Sequence, residues 1–192
     1  MYRCCLVRFY SVIPQQAGLY KNKRGWEDLN MNALDIIKYG HLHVMEAVNG
    51  LSDGEWQKVG VTTKWSVRDA LAHLASYEHL LEDALNFVIK PGASIPHLDN
   101  MNSDREGFND KEVGKRKNMS PQEVMAEYND THNRVTEIIK NMASELLRQT
   151  GTIPWYGAEY SLDDYIVYAS YGHKQEHIAQ IKRFRKQNKS LS

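Results

Sequence analysis

The residues best placed to do chemistry are His173 and His177, four positions apart in Tyr171-Gly172-His173-Lys174-Gln175-Glu176-His177. On a helix, residues i and i+4 share a face with Cβ atoms about 5–6 Å apart. Two imidazoles at that separation can chelate one metal ion. The apolar positions around them, Ile166, Ala169, Ile181 and Phe184, recur at helical spacing and turn both rings inward. A buried imidazole needs a partner. A shared metal would satisfy both; the other reading is one ring hydrogen-bonded to a tyrosine and the second half exposed. His73 lies on a second inward stripe, Ala70, His73, Tyr77, Leu80, Ala84 and Phe87. Alone it reads as a core histidine bonded to a neighbour. Together with the pair it makes three neutral imidazoles, a set that suits Zn²⁺ or Ni²⁺, with Fe²⁺ and Mn²⁺ also compatible, and leaves positions for water or a substrate atom.

The remaining candidates carry weaker signals. His41 falls on the inward stripe of the first helix and reads as a packed core histidine. His79 and Glu82 read as a solvated or boundary face, and His132 sits beside the stripe of its helix. His97, in a long connection, reaches the site only if that connection folds over it. Glu176 is off the ligand face and reads as a surface charge, and Tyr77 as a packing residue. No side chain is assigned a catalytic role.

Four helices must hold these residues, and each opens with the same device. A capping box pairs an N-cap side chain with an acceptor three residues on. Asn32 with Asp35, Ser66 with Asp69, Ser120 with Glu123 and Ser161 with Asp164 all fit, and Pro121 occupies the favoured first helical position. The expected helices are 32–48, 67–89, 121–147 and 162–185, with stops at Asn49-Gly50, Lys90-Pro91-Gly92, and Gly151 with Pro154. No strand is expected in residues 31–192. The connection from Pro91 to Met119 is long enough to cross the molecule, so the second and third helices need not be antiparallel neighbours. The expected fold is all-α, a four-helix bundle with that crossover.

Charge and composition narrow the function. The 192 residues carry 24 bases and 24 acids. Five bases without an acid lie in residues 1–24 (Arg3, Arg8, Lys21, Lys23, Arg24) and five more in the tail from Lys182, leaving an acidic body between basic ends. An acidic body argues against a phosphate-backbone binder. The adjacent Cys4-Cys5 cannot staple a fold, which fits a reducing cytoplasm. No apolar run approaches the roughly 18 residues of a membrane span. Met31 stands just before the first helix signal, and residues 1–30 read as a non-essential extension, such as an upstream start would add, rather than as a targeting signal. The expected division is 1–30 extension, 31–187 helical domain and 188–192 basic tail.

The segment Trp65-Ser66-Val67-Arg68-Asp69-Ala70-Leu71-Ala72-His73-Leu74, followed late in the chain by His173-Lys174-Gln175-Glu176-His177-Ile178-Ala179-Gln180-Ile181, resembles the paired signature of the DinB/YfiT-like proteins. Phe108-Asn109 through Arg116, leading into Ser120-Pro121, is similar to them as well. The resemblance spans about residues 32–185. It implies a four-helix bundle with a long crossover and a divalent metal held by His73, His173 and His177. Relatives include thiol transferases that use bacillithiol, mycothiol or glutathione, and mycothiol-dependent maleylpyruvate isomerases. Those isomerases have a glutamate at one late ligand position, so histidine at both places this chain nearer the three-histidine branch. The implied function is metal-dependent thiol transfer to a small electrophile; the alternative is a non-catalytic metal- or ligand-binding stress protein. Expected partners are a small-molecule substrate with a low-molecular-weight thiol, with a homodimer as an open assembly, and neither nucleic acid nor membrane.

Overall fold

A computed structural model describes residues 32–189. The N-terminal extension, Met31 and the last three residues of the tail lie outside them. Among the described residues every regular element is a helix, and none is long and apolar enough to cross a membrane.

Four long helical stretches carry the molecule: α1 (Ala33–Val48), α3 (Val67–Ile89), α6 (Pro121–Lys140), and a final stretch that begins at Leu162 and ends as α9 (His173–Lys189). The boxes at Ser66, Ser120 and Ser161 all form, with each serine accepting from the backbone N–H three residues on and each acid returning a bond to the serine N–H. A fourth box, Ser52 with Glu55, opens a short helix α2 (Asp53–Gln57) between α1 and α3.

Side-chain pairings fix the helix directions. Arg68 Nη1 donates to the Arg116 carbonyl at 2.8 Å, His79 meets Glu127 at 2.9 Å and Glu82 meets Arg134 at 2.6 Å, so α3 and α6 run the same way. Parallel neighbours need a long return, and Pro91 to Met119 supplies it. This connection folds into two more helices, α4 (Pro96–Ser103) and α5 (Phe108–Lys115), both packed on α3. α1 and α9 also run together, through Gln175 with His43 and Arg185 with the Ala47 carbonyl. Trp65 lies near His177 and His73 near His173, so α3 and α9 are opposed. The core between them includes Val44, Val48, Trp56, Leu71, Leu74, Val124, Tyr128, Ile178, Ile181 and Phe184.

Two expected helices differ from the sequence reading. The third stops at Lys140 instead of 147, because the Asn141 amide donates to the Glu137 carbonyl and Ala143 turns extended; a separate helix α7 (Ser144–Arg148) follows. The fourth is not one α-helix. It opens as α8 (Leu162–Tyr165), widens into a π segment at Ile166–Gly172, and returns to α-helix at His173. The wider turns shift the inward phase: Ser170 is buried where Ala169 was expected, and Ala169 is half-buried. Single π turns inside α-helices are rare and concentrate at functional sites.

Candidate metal centre

His73 is carried by α3, two turns in from a doubly bonded cap, and His173 and His177 by the first turns of α9. The structure brings all three rings together. His73 Nε2 lies 3.0 Å from His173 Nε2, and His177 Nε2 lies 3.0 Å from His173 Nε2. The three ligand atoms fall within 4.8 Å of one another. Nitrogens at about 2.0–2.1 Å from a tetrahedral ion are separated by roughly 3.3 Å, so the convergence matches a metal's demand. The rings meet edge to face rather than stacked, with interplanar angles of 88°, 72° and 79°. That arrangement points lone pairs to a common centre instead of burying ring against ring.

Burial makes the cluster chemically fit for a cation. His73, His173 and His177 are 1%, 3% and 1% exposed. Loss of solvent, then mutual repulsion, holds His73 and His173 far below the ordinary imidazole range. Burial lowers His177 to about 4 against a bond from its Nδ1 to Gln180 Oε1 at 3.0 Å. All three are therefore neutral at pH 7, the form a metal needs. Gln180 fixes the tautomer of His177 by accepting at Nδ1, which leaves Nε2 as the ligand atom. Three buried, uncharged imidazoles whose Nε2 atoms converge have the donor set that a divalent ion takes.

Aromatic side chains wall the site. Trp65, just before the cap of α3, lies 4.8 Å from the His73 ring and 6.2 Å from His177. Tyr77 lies 4.6 Å from His73 and 4.1 Å from His173. Both are half-buried, so they form the solvent side of the centre. The Tyr77 hydroxyl donates to Asn109 Oδ1 at 3.3 Å, and its ring packs on Phe108. The connection between α3 and α6 thus reaches the site through Tyr77.

The other candidates resolve differently. His41 is half-buried, stacked on His132 at 3.9 Å and facing Tyr128 at 5.3 Å. His79 and Glu82 lie on a boundary face rather than a solvated one. His79 is half-buried, bonded to Glu127, 3.5 Å from Glu82, and stacked flat on His97 at 4.5 Å. Burial alone would lower His79, but Glu127 and Glu82 lift it to about 9. His97 therefore folds onto α3 at His79 and not onto the metal centre. Glu176 is exposed.

Sequence reasoning missed a deeply buried ion pair. Lys174, beside His173, forms an ion pair with Glu78 of α3, and the side chains are 3% and 1% exposed. Burial would raise the Glu78 carboxyl; the Lys174 ammonium and then His132, 3.7 Å away, bring it down to about 2. Glu78 lay off the apolar stripe and Lys174 between two ligands, so neither carried a local signal.

A family model described as the DinB superfamily matches residues 43–181. The match covers most of the chain and contains all three histidines; the chain belongs to the DinB superfamily. No curated protein and no solved structure matches it.

Proposed function

We propose that this chain is a four-helix bundle with a long crossover that holds a divalent metal on His73, His173 and His177 and transfers a low-molecular-weight thiol to a small electrophile. The observation that carries the reading is the convergence of three neutral, buried rings, with His173 Nε2 3.0 Å from both His73 Nε2 and His177 Nε2 and all three ligand atoms within 4.8 Å. A divalent ion there supplies Lewis acidity, lowering the pKa of a thiol or water so that it is nucleophilic near neutral pH. The chain's own residues do the rest. α3 and α9 pre-set the ligand rings, Gln180 holds the His177 tautomer, and Trp65 and Tyr77 exclude bulk water while giving the electrophile an apolar wall.

One observation favours a second reading, a metal- or ligand-binding protein without turnover: Tyr77 packs directly on two of the three rings, which are almost wholly buried. The test that separates them is metal analysis of the purified chain, then a panel of bacillithiol, mycothiol and glutathione with a chromogenic electrophile. Transfer by the metal-loaded wild type that is absent in H73A supports the transferase. Stoichiometric metal with no turnover of any thiol supports the binding protein, and no metal at all removes both.

A further inference from the structure

The buried Glu78–Lys174 pair lies outside the ligand set, yet it joins the same two helices. α3 carries His73 and Glu78; α9 carries His173 and Lys174 in succession. A second link at this place has a mechanical reason. The π segment Ile166–Gly172 ends at the residue before His173, so the phase of α9 about its axis is not inherited from α8. Lys174 is the first residue of α9 after His173 itself. Successive helical residues point about 100° apart, since a turn holds 3.6 residues. Pinning Lys174 in one direction therefore sets where His173, and one turn later His177, must point.

Four groups from three elements hold the pin. Glu78 of α3 pairs with the ammonium, and His132 of α6 lies 3.7 Å from the same carboxylate. The ammonium sits 5.9 Å over the Tyr128 ring of α6. On the fourth side α1 presents Gly40, where a Cβ would come within 3.3 Å of Lys174 Cδ and 3.2 Å of the Tyr171 ring. The absence of a side chain at Gly40 lets α1 close over the lysine stem. A buried pair of this kind adds little net stability compared with apolar replacements, although losing one partner alone is strongly destabilising. Its place beside the ligands points to a role other than net stability.

We propose that Glu78 and Lys174 are positioning residues for the metal centre: their ion pair fixes the rotation of α9 after the π segment, so that His173 and His177 meet His73. The assignment rests on the metal reading of the three histidines. Neither residue touches the ion; they act through the ligands' placement.

The test uses the full chain, freed of metal by a chelator, then titrated with Co²⁺ while the visible absorption bands and competition affinity are recorded beside the far-ultraviolet helical signal. The variants are H73A and E78Q/K174M, the second removing both charges while keeping the volumes. The expected result is a wild-type chain that binds Co²⁺ with a defined spectrum, and an E78Q/K174M chain that keeps its helical signal but binds at least tenfold more weakly with shifted bands. A folded E78Q/K174M with wild-type affinity and spectrum overturns the assignment and leaves the metal site standing. If the wild type takes up no Co²⁺, or H73A binds as well as the wild type, the metal reading itself fails and the assignment with it. Should E78Q/K174M not fold, E78D, which keeps the charge balance and shortens the reach, decides by the same readout: shifted bands support the positioning role and unchanged ones overturn it.

Discussion

Arg116→Met should destabilise the fold by about 3–5 kcal/mol, the range for removing one partner of a buried, hydrogen-bonded ion pair. Arg116 ends the crossover and is 7% exposed in its side chain. Its guanidinium binds Glu127 through two nitrogens at 2.9 and 2.6 Å, and Glu112 through a carboxylate oxygen and the carbonyl, both at 2.9 Å. Methionine keeps the stem and loses every one of these bonds. Glu112, 2% exposed, would keep Lys115, whose ammonium stands largely in water, and Glu127 would keep His79. The Arg134–Glu82 pair supplies the internal control. It links α6 to α3 through two bonds, at 2.6 and 3.0 Å, but Arg134 is 49% exposed. An exposed pair is worth about 0–1 kcal/mol, so Arg134→Met should fall in that range. Urea unfolding of both variants, with amide exchange across Phe108–Lys115, measures the difference. Exchange should accelerate in that helix first, because Arg116 is its anchor. If R116M costs no more than R134M, burial does not govern the strength of these pairs and the account of how the crossover is held is wrong.

Other outcomes follow from the same structure. His79, lifted to about 9 in the fold against about 6.5 in an unfolded chain, contributes stability fully present below pH 6.5 and lost as pH rises through 9. The wild type's stability margin over H79Q should therefore shrink across pH 6.5–9, as read by denaturant unfolding at fixed pH steps; a margin that grows with pH would contradict the raised value. Ser120→Ala should cost about 1 kcal/mol by removing the N-cap of α6, seen as a lowered urea midpoint at unchanged slope.

What could be read from the sequence was what local chemistry specifies. Ser66, Ser120 and Ser161 each carry their own acceptor within one turn, so three helix starts were written in four-residue words. His73 and the His173/His177 pair were legible because helical period places them on apolar stripes. The π segment was not, since Ile166–Gly172 has the composition of an ordinary helix and its widening depends on what α1 and α3 press against it. Lys174 and Glu78 were invisible for a related reason: a buried charge is recognised only with its partner, and the partners are far apart in the chain. His79 was read as solvated or boundary, and its pairing was not legible because Glu127 approaches it from another helix. Asn141 was overlooked as a helix stop, although an asparagine whose side chain can compete for a backbone carbonyl is a signal for one.

The central claim is that one ion sits among His73, His173 and His177. X-ray absorption at the zinc edge of the full chain loaded with one equivalent of Zn²⁺ tests it most directly, with H73A as reference. The account predicts one tightly held zinc with three imidazole nitrogens at about 2.0–2.1 Å in the wild type, and a spectrum lacking one imidazole in H73A. A wild-type spectrum dominated by oxygen or sulfur neighbours, or one identical in H73A, would contradict it.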